Sequence, residues 1–158
     1  DDREVTSVTI TFREITSDNY SQVLNLKITP EQEAAKFVSP VVRSLADAWF
    51  YREEGITYPK AIYADEDLVG FIMYELDPEE QHVFVWRFLI DQAFQGKGYG
   101  RQTIEAVVEM AKQQTQMTKV VADYVDGNEP MKKILLGLGF EETGFDPDIN
   151  EHIMVYQL

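Results

Sequence analysis

Gln95–Lys112 reads QGKGYGRQTIEAVVEMAK: three glycines within five positions, then an amphipathic stretch. Glycines at 96, 98 and 100 let the backbone bend sharply and remove the Cβ atoms that would keep a ligand at a distance. Successive N–H groups in such a loop converge on one concavity, and the N-terminus of the following helix adds partial positive charge. The segment therefore predicts a phosphate or pyrophosphate cradle. Behind the loop, Ile104, Val107, Val108 and Ala111 fall at i, i+3, i+4 and i+7, which predicts one buried helical face. Ahead of it, HVFVWRFLI (82–90) is a nearly continuous apolar run and reads as a strand buried on both faces. Spacing excludes two common nucleotide folds. No G-x-x-x-x-G-K-S/T occurs, and the third glycine of a G-x-G-x-x-G counted from Gly96 is replaced by Arg101. Lys97 and Arg101 supply local positive charge that suits an anionic ligand.

Working outward, Val8–Glu14 alternates as a strand, and Ser17 or Asp18 can cap a short helix carrying Tyr20, Val23 and Leu24. ITPEQEAAKFVSP (28–40) reads as a connecting region, and Val41–Glu54 as a helix that stops before Gly55. Lys60–Ala64 and Leu68–Tyr74 form a predicted hairpin around the charged Asp65-Glu66-Asp67. Lys119–Val125 is a further strand. Asn128-Glu129-Pro130 opens a helix with an apolar stripe of Met131, Ile134, Leu135 and Leu138, which Gly139 closes with positive φ. Phe140–Thr143 and His152–Leu158 complete the series as strands. This order predicts an α/β (α+β) fold, one mixed sheet with helices on both faces, and a single domain over residues 1–158.

The chain has 158 residues, no cysteine and two histidines, His82 and His152, so neither a thiolate site nor a multi-histidine metal site is expected. The opening DDREVTSVTI lacks the basic and apolar regions of an export signal, and no apolar run approaches the ~20 residues of a membrane span. A cytoplasmic protein without a membrane partner is the expectation. Fourteen Lys and Arg against 28 Asp and Glu give a formal charge of −14, which disfavours nucleic acid and favours cationic small molecules.

Gln95-Gly96-Lys97-Gly98-Tyr99-Gly100 resembles the pyrophosphate motif Gln/Arg-x-x-Gly-x-Gly/Ala of the GNAT superfamily of acetyl-CoA-dependent N-acetyltransferases. FLID (88–91) resembles that family's pantetheine-gripping strand, and NEPMKKILLGLGF (128–140) its Asn-initiated helix. YPKAIYADEDLVGFIMYEL and WRFLIDQAFQGKGYG are further similar to bacterial spermine/spermidine acetyltransferases. The resemblance implies a mostly antiparallel sheet and acetyl transfer from acetyl-CoA to a primary amine, with a polyamine such as spermidine or spermine as the small-molecule partner. Attack would be direct, within a ternary complex. A homodimer is also expected.

Residue by residue, the resemblance implies backbone hydrogen bonds from Phe88, Leu89 and Ile90 to the pantetheine arm and the thioester oxygen. It implies pyrophosphate binding by Gln95, Gly96, Lys97, Gly98, Tyr99, Gly100 and Arg101, and a cofactor contact from Asn128. The family's usual tyrosine acid would fall at Leu135, which cannot donate a proton, so Tyr124 on the preceding strand is the candidate substitute. The amine needs a base, for which Glu75 at a strand end is the first candidate and Asp123 the second. Trp86 stands where the related enzymes carry an acidic residue. An acyl-CoA-binding module without turnover is the alternative, motivated by Leu135.

Overall fold

The structure, a computed structural model, describes residues 8–158. Most of the opening segment in which no export signal is read lies outside them. Seven strands make one sheet in the order β1-β2-β3-β4-β5-β7-β6: β1 Ile10–Arg13, β2 Thr57–Ala64, β3 Asp67–Asp77, β4 His82–Ile90, β5 Lys119–Val125, β6 Glu141–Asp146 and β7 Glu151–Gln157. Every neighbouring pair is antiparallel except β4 with β5. On one face lie α1 (Tyr20–Leu24), α2 (Pro30–Ala34) and α3 (Val41–Phe50). Val23 and Val41 from this layer pack on Ala61, Phe71, Met73 and Leu89. On the other lie α4 (Tyr99–Lys112) and α5 (Glu129–Leu138), whose Ile104, Val107, Ala111, Met131 and Leu135 pack on Ile62, Ile72, Val83 and Val120. Helices thus cover both faces, and the four residues of α4 predicted to be buried all are. Among the described residues no helix is long and apolar enough to cross a membrane.

One irregularity in β4 shapes everything that follows. The β3–β4 register passes from Met73 opposite Arg87 to Tyr74 opposite Val85, which leaves Trp86 as an extra residue. A bulge of this kind bends its strand and shifts the parity of the side chains beyond it. Val83 and Val85 face the α4–α5 core. Past Trp86 it is Phe88 and Ile90 that face it, while Leu89 packs with α1 and α3 and Arg87 reaches α3. Pairing with β5 ends at the same point, covering only His82–Val85 with Lys119–Ala122. From Trp86 onward, β4 pairs with another strand along one edge only.

The sequence expectation of a strand buried on both faces is corrected accordingly. Trp86, Arg87 and Phe88 are only half-buried, because β4 borders an opening for half its length, and Phe84, in the paired half, is half-buried as well. A second correction concerns residues 28–40. Thr29 caps α2 with its hydroxyl on the Gln32 N–H (3.2 Å), and Gln32 Oε1 accepts from the Thr29 N–H (3.2 Å), with Pro30 at the first helical position. T-P-E-Q is a readable capping box, so the signal was present in the sequence. The helix from Val41 stops at Phe50 and tightens into a 3₁₀ turn over Arg52–Glu54, closed by Gly55 at φ 70°.

Candidate active site

A cavity of about 590 Å³ opens where β4 and β5 part. Its first wall is the run from Phe88 to Arg101. Gly96 and Gly98 have φ of 80° and 84°, the left-handed region that glycine adopts at little cost. Gly98 is the N-cap of α4 and has no side chain with which to close the helix. The first bond into the helix runs from the Gln102 N–H to the Gly98 carbonyl (3.1 Å), so the N–H groups of Tyr99, Gly100 and Arg101 precede the helical ladder. A Cβ on Gly100 would stand 3.1 Å from Ile134 Cδ1, so glycine there lets α4 approach α5 closely. These N–H groups at a helix start fit a pyrophosphate.

The open edge of β4 continues this wall. The Asp91 N–H donates to the Val69 carbonyl (2.8 Å), whereas the Ile90 carbonyl, on the other side of the same peptide, accepts from Gln95 Nε2 (2.9 Å). Strand alternation then turns the N–H groups of Ile90 and Phe88 to the opening and that of Leu89 toward β3. Of the three residues expected to bind through their backbone, two therefore present donors to the cavity. Asn128 lines it too, but its Oδ1 is engaged in capping α5 through the Met131 N–H (3.3 Å), leaving its amide N–H₂ as the group able to reach a ligand. Arg101 borders the cavity and pairs with Glu105 (3.0 Å). Lys97 does not border it; its ammonium sits 5.9 Å from the Phe94 ring centre. The loop and the β4 edge together suit a long, phosphate-bearing ligand with an amide arm.

The second wall is made of side chains. Ala122 and Tyr124 face the α4–α5 core, so alternation turns Asp123 to the opposite face of β5. Across the β5–β7 pair, Glu151 sits opposite Val125 and shares that face. Asp123 Oδ1 is buried without a hydrogen-bond partner among the described residues. Burial, then the nearby Glu151 and Asp146, push the Asp123 pKa up to about 6. Glu151 is raised as well, by burial foremost, with Arg87 acting in the opposite direction. Arg87 completes the wall, held by Asp47 (3.1 Å) and Ser44 (3.3 Å) of α3. Arg87 and Glu151 were not singled out in the sequence. No local motif marks them, because they meet only through sheet pairing.

Tyr124 borders the cavity from β5, with its ring buried and its hydroxyl making no hydrogen bond among the described residues. Its ring stacks on His152 (4.8 Å, 19°), whose Nε2 lies 2.8 Å from Asp126 Oδ1 and Nδ1 2.6 Å from Glu142 Oε1. The hydrogen bond to Asp126 leads in raising the His152 pKa. Burial, then Glu142, Glu129 and Asp126, raise the Tyr124 pKa, so the phenol stays protonated. Leu135 is fully buried and does not border the cavity.

Glu75, the first candidate base, is not brought to the cavity. It lies on β3 opposite Thr57 and Phe84, and burial, then the nearby Asp77 and Glu54, raise its pKa. A strand-end rule identifies a polar residue but not the end of the sheet at which the cleft opens. That end is set by the bulge at Trp86, which leaves Asp123, of the two candidate bases, bordering the cavity.

Residues 19–140 match the model of the acetyltransferase (GNAT) family. The chain belongs to this family and is an acetyl-CoA-dependent N-acetyltransferase. It is 28% identical over 158 residues to the spermine/spermidine N(1)-acetyltransferase of Bacillus subtilis (strain 168), covering 96% of this chain and 100% of that one. Its fold is similar to that of an acetyltransferase from Thermus thermophilus, with a TM-score of 0.73, 19% identity and coverage of 96% and 98% of the two chains. It is also similar to the spermidine N-acetyltransferase of Vibrio cholerae solved with CoA and spermine, with a TM-score of 0.72, 15% identity and coverage of 94% and 95%.

Proposed function

We propose that this chain transfers acetyl from acetyl-CoA to a primary amine of a polyamine such as spermidine or spermine, by direct attack in a ternary complex. The observation that carries this reading is the acidic wall of Asp123 and Glu151, with an orphaned carboxylate oxygen on Asp123, opposite a wall of backbone donors. The similarity to the Bacillus subtilis polyamine enzyme supports the same acceptor class.

Held against the glycine loop and the β4 edge, acetyl-CoA supplies an activated acetyl thioester. The N–H groups of Tyr99, Gly100 and Arg101 meet the pyrophosphate, and those of Phe88 and Ile90 meet the arm and the acyl oxygen, where a donor stabilises developing negative charge. Asp123 takes the proton that an alkylammonium must lose before its nitrogen can attack. Against an amine of pKa about 10.4, a carboxylate of pKa 3.8 makes that transfer about 9 kcal/mol uphill; at about 6 it is about 6 kcal/mol, with solvent screening trimming the difference. Tyr124, protonated at neutral pH, donates from its hydroxyl to the departing sulfur. Glu151 holds a second ammonium of the acceptor.

Thiol release on a panel of amines, with product masses, tests the reading. Spermidine and spermine should gain one acetyl group and release one thiol each. Polyamines left unmodified while an aminoglycoside, an amino acid or a peptide N-terminus is acetylated would overturn the acceptor assignment.

A further inference from the structure

Gln32 on α2 and Gln95 in the glycine loop are joined by a reciprocal pair of hydrogen bonds. Gln32 Nε2 donates to Gln95 Oε1 (3.1 Å), and Gln95 Nε2 donates to Gln32 Oε1 (2.9 Å). Both amides are oriented from outside the pair, since Gln95 Nε2 also donates to the Ile90 carbonyl and Gln32 Oε1 also accepts from the Thr29 N–H. Flipping either amide would set donor against donor. The chain of bonds runs without a break from the open edge of β4 to the N-cap of α2.

α2 has five residues and no buried side chain, too short to hold itself as a helix in water. Its polar ties lead to the β4–α4 connection: besides Gln32, the Lys27 N–H donates to Asp91 Oδ1 (2.9 Å) and the Lys27 carbonyl accepts from the Gln92 N–H (2.7 Å). Directly after α2, Lys36, Phe37, Val38 and Ser39 border the cavity. The position of this part of the cavity lining therefore depends on the loop that forms the cofactor wall.

We propose that Gln32 is a positioning residue that couples the two substrate sites. A ligand on the glycine loop and β4 edge holds Gln95 and Ile90, Gln95 holds Gln32, and α2 then fixes the wall segment 36–39 against the acceptor. Amine binding tightens once the cofactor site is filled, and by reciprocity coenzyme A binds more tightly with the amine present. The proposal rests on the cofactor assignment above but not on the identity of the amine.

Hydrogen exchange with coenzyme A as the only added ligand tests it. In the unsubstituted protein, coenzyme A should slow exchange at residues 95–102 and also, about fivefold or more, at residues 29–37. In Gln32→Met the protection at 95–102 should persist and that at 29–37 should vanish. Gln32→Glu keeps the one oxygen that accepts from Thr29 and Gln95 but sets its second oxygen against Gln95 Oε1, and should retain only part of it. In steady-state kinetics with whichever amine turns over, Gln32→Met should raise the amine KM about tenfold, with a much smaller change in kcat. Protection at 95–102 without protection at 29–37 in the unsubstituted protein would overturn the coupling alone, as would a Gln32→Met protein that protects both segments. Absence of protection at 95–102 would remove the cofactor assignment and the coupling with it.

Discussion

The two walls of the cleft are built from different parts of the chain. The cofactor wall is one run, Phe88–Arg101, and presents main-chain N–H groups from a strand edge and a helix start. The wall proposed for the acceptor presents side chains, Arg87, Asp123 and Glu151, carried on three strands and braced by α3. A backbone wall is insensitive to most side-chain identities but is disrupted by a Cβ where φ is positive. A side-chain wall keeps its shape when one carboxylate becomes an amide and loses its chemistry. Substitutions on either side should therefore fail differently, one in binding and the other in turnover.

Tyr124 stands where the walls meet, and its loss should show a large effect on turnover. Tyr124→Phe is expected to lower kcat about 100-fold near pH 6.5 and much less near pH 9, because a thiol of pKa about 8.5 departs unaided once ionised. Equal losses at both pH values would place the proton donor elsewhere.

On the cofactor wall, Gly98→Val forces a β-branched residue to φ 84° at a cost of about 1–3 kcal/mol. Coenzyme A affinity measured by calorimetry on the folded variant should fall fivefold or more, whereas kcat at saturation should change little. Unchanged affinity would show that the loop does not hold the phosphates.

On the acceptor wall, Glu151→Gln should raise the KM for spermidine severalfold while sparing a monoamine. The difference should shrink between 20 and 300 mM salt as the Debye length falls. A variant that affects both amines alike would show that Glu151 does not read the second ammonium.

The smallest effect is on stability. Asp123 has a pKa raised in the folded chain, from 3.8 to about 6, so the folded state binds more protons than the unfolded state between those values and stability is lost as pH rises through them. At pH 8 Asp123→Asn should therefore stabilise the protein by about 1 kcal/mol after discounting for screening, seen as a higher urea midpoint. A destabilised variant would mean that the carboxylate is favourably paired.

The same contrast explains what could be read from the sequence. The cofactor wall is contiguous, so glycine spacing, the strand before it and the helix after it announced the loop and the helix start that follows it. β5 and the Asn128 cap were legible for the same reason, since propensity and capping act over a few residues. The acceptor wall depends on register. Asp123 and Glu151 share a face only because β5 pairs β7, and the cleft opens at their end of the sheet only because Trp86 interrupts β4. Nothing within a few residues of Glu75 indicated that it lay away from the cavity, and nothing near Glu151 that it bordered it. The capping box of Thr29 and Gln32 was legible in principle and marks α2, but the reciprocal bond to Gln95 spans 63 residues and is visible only in the fold.

The dependence of kcat/KM on pH, with spermidine, tests the assignment of Asp123 most directly. Asp123 takes the ammonium proton within the complex, so log kcat/KM should be level through neutral pH and fall with a slope of about 1 below about pH 6, where Asp123 is already protonated. Asp123→Asn, left with only the amine already deprotonated in solution, should lower the rate near neutral pH by about 10²–10⁴-fold and rise with a slope of about 1 throughout, without the bend. An unsubstituted protein with no bend near pH 6, or a variant that keeps the bend and most of the rate, would contradict it.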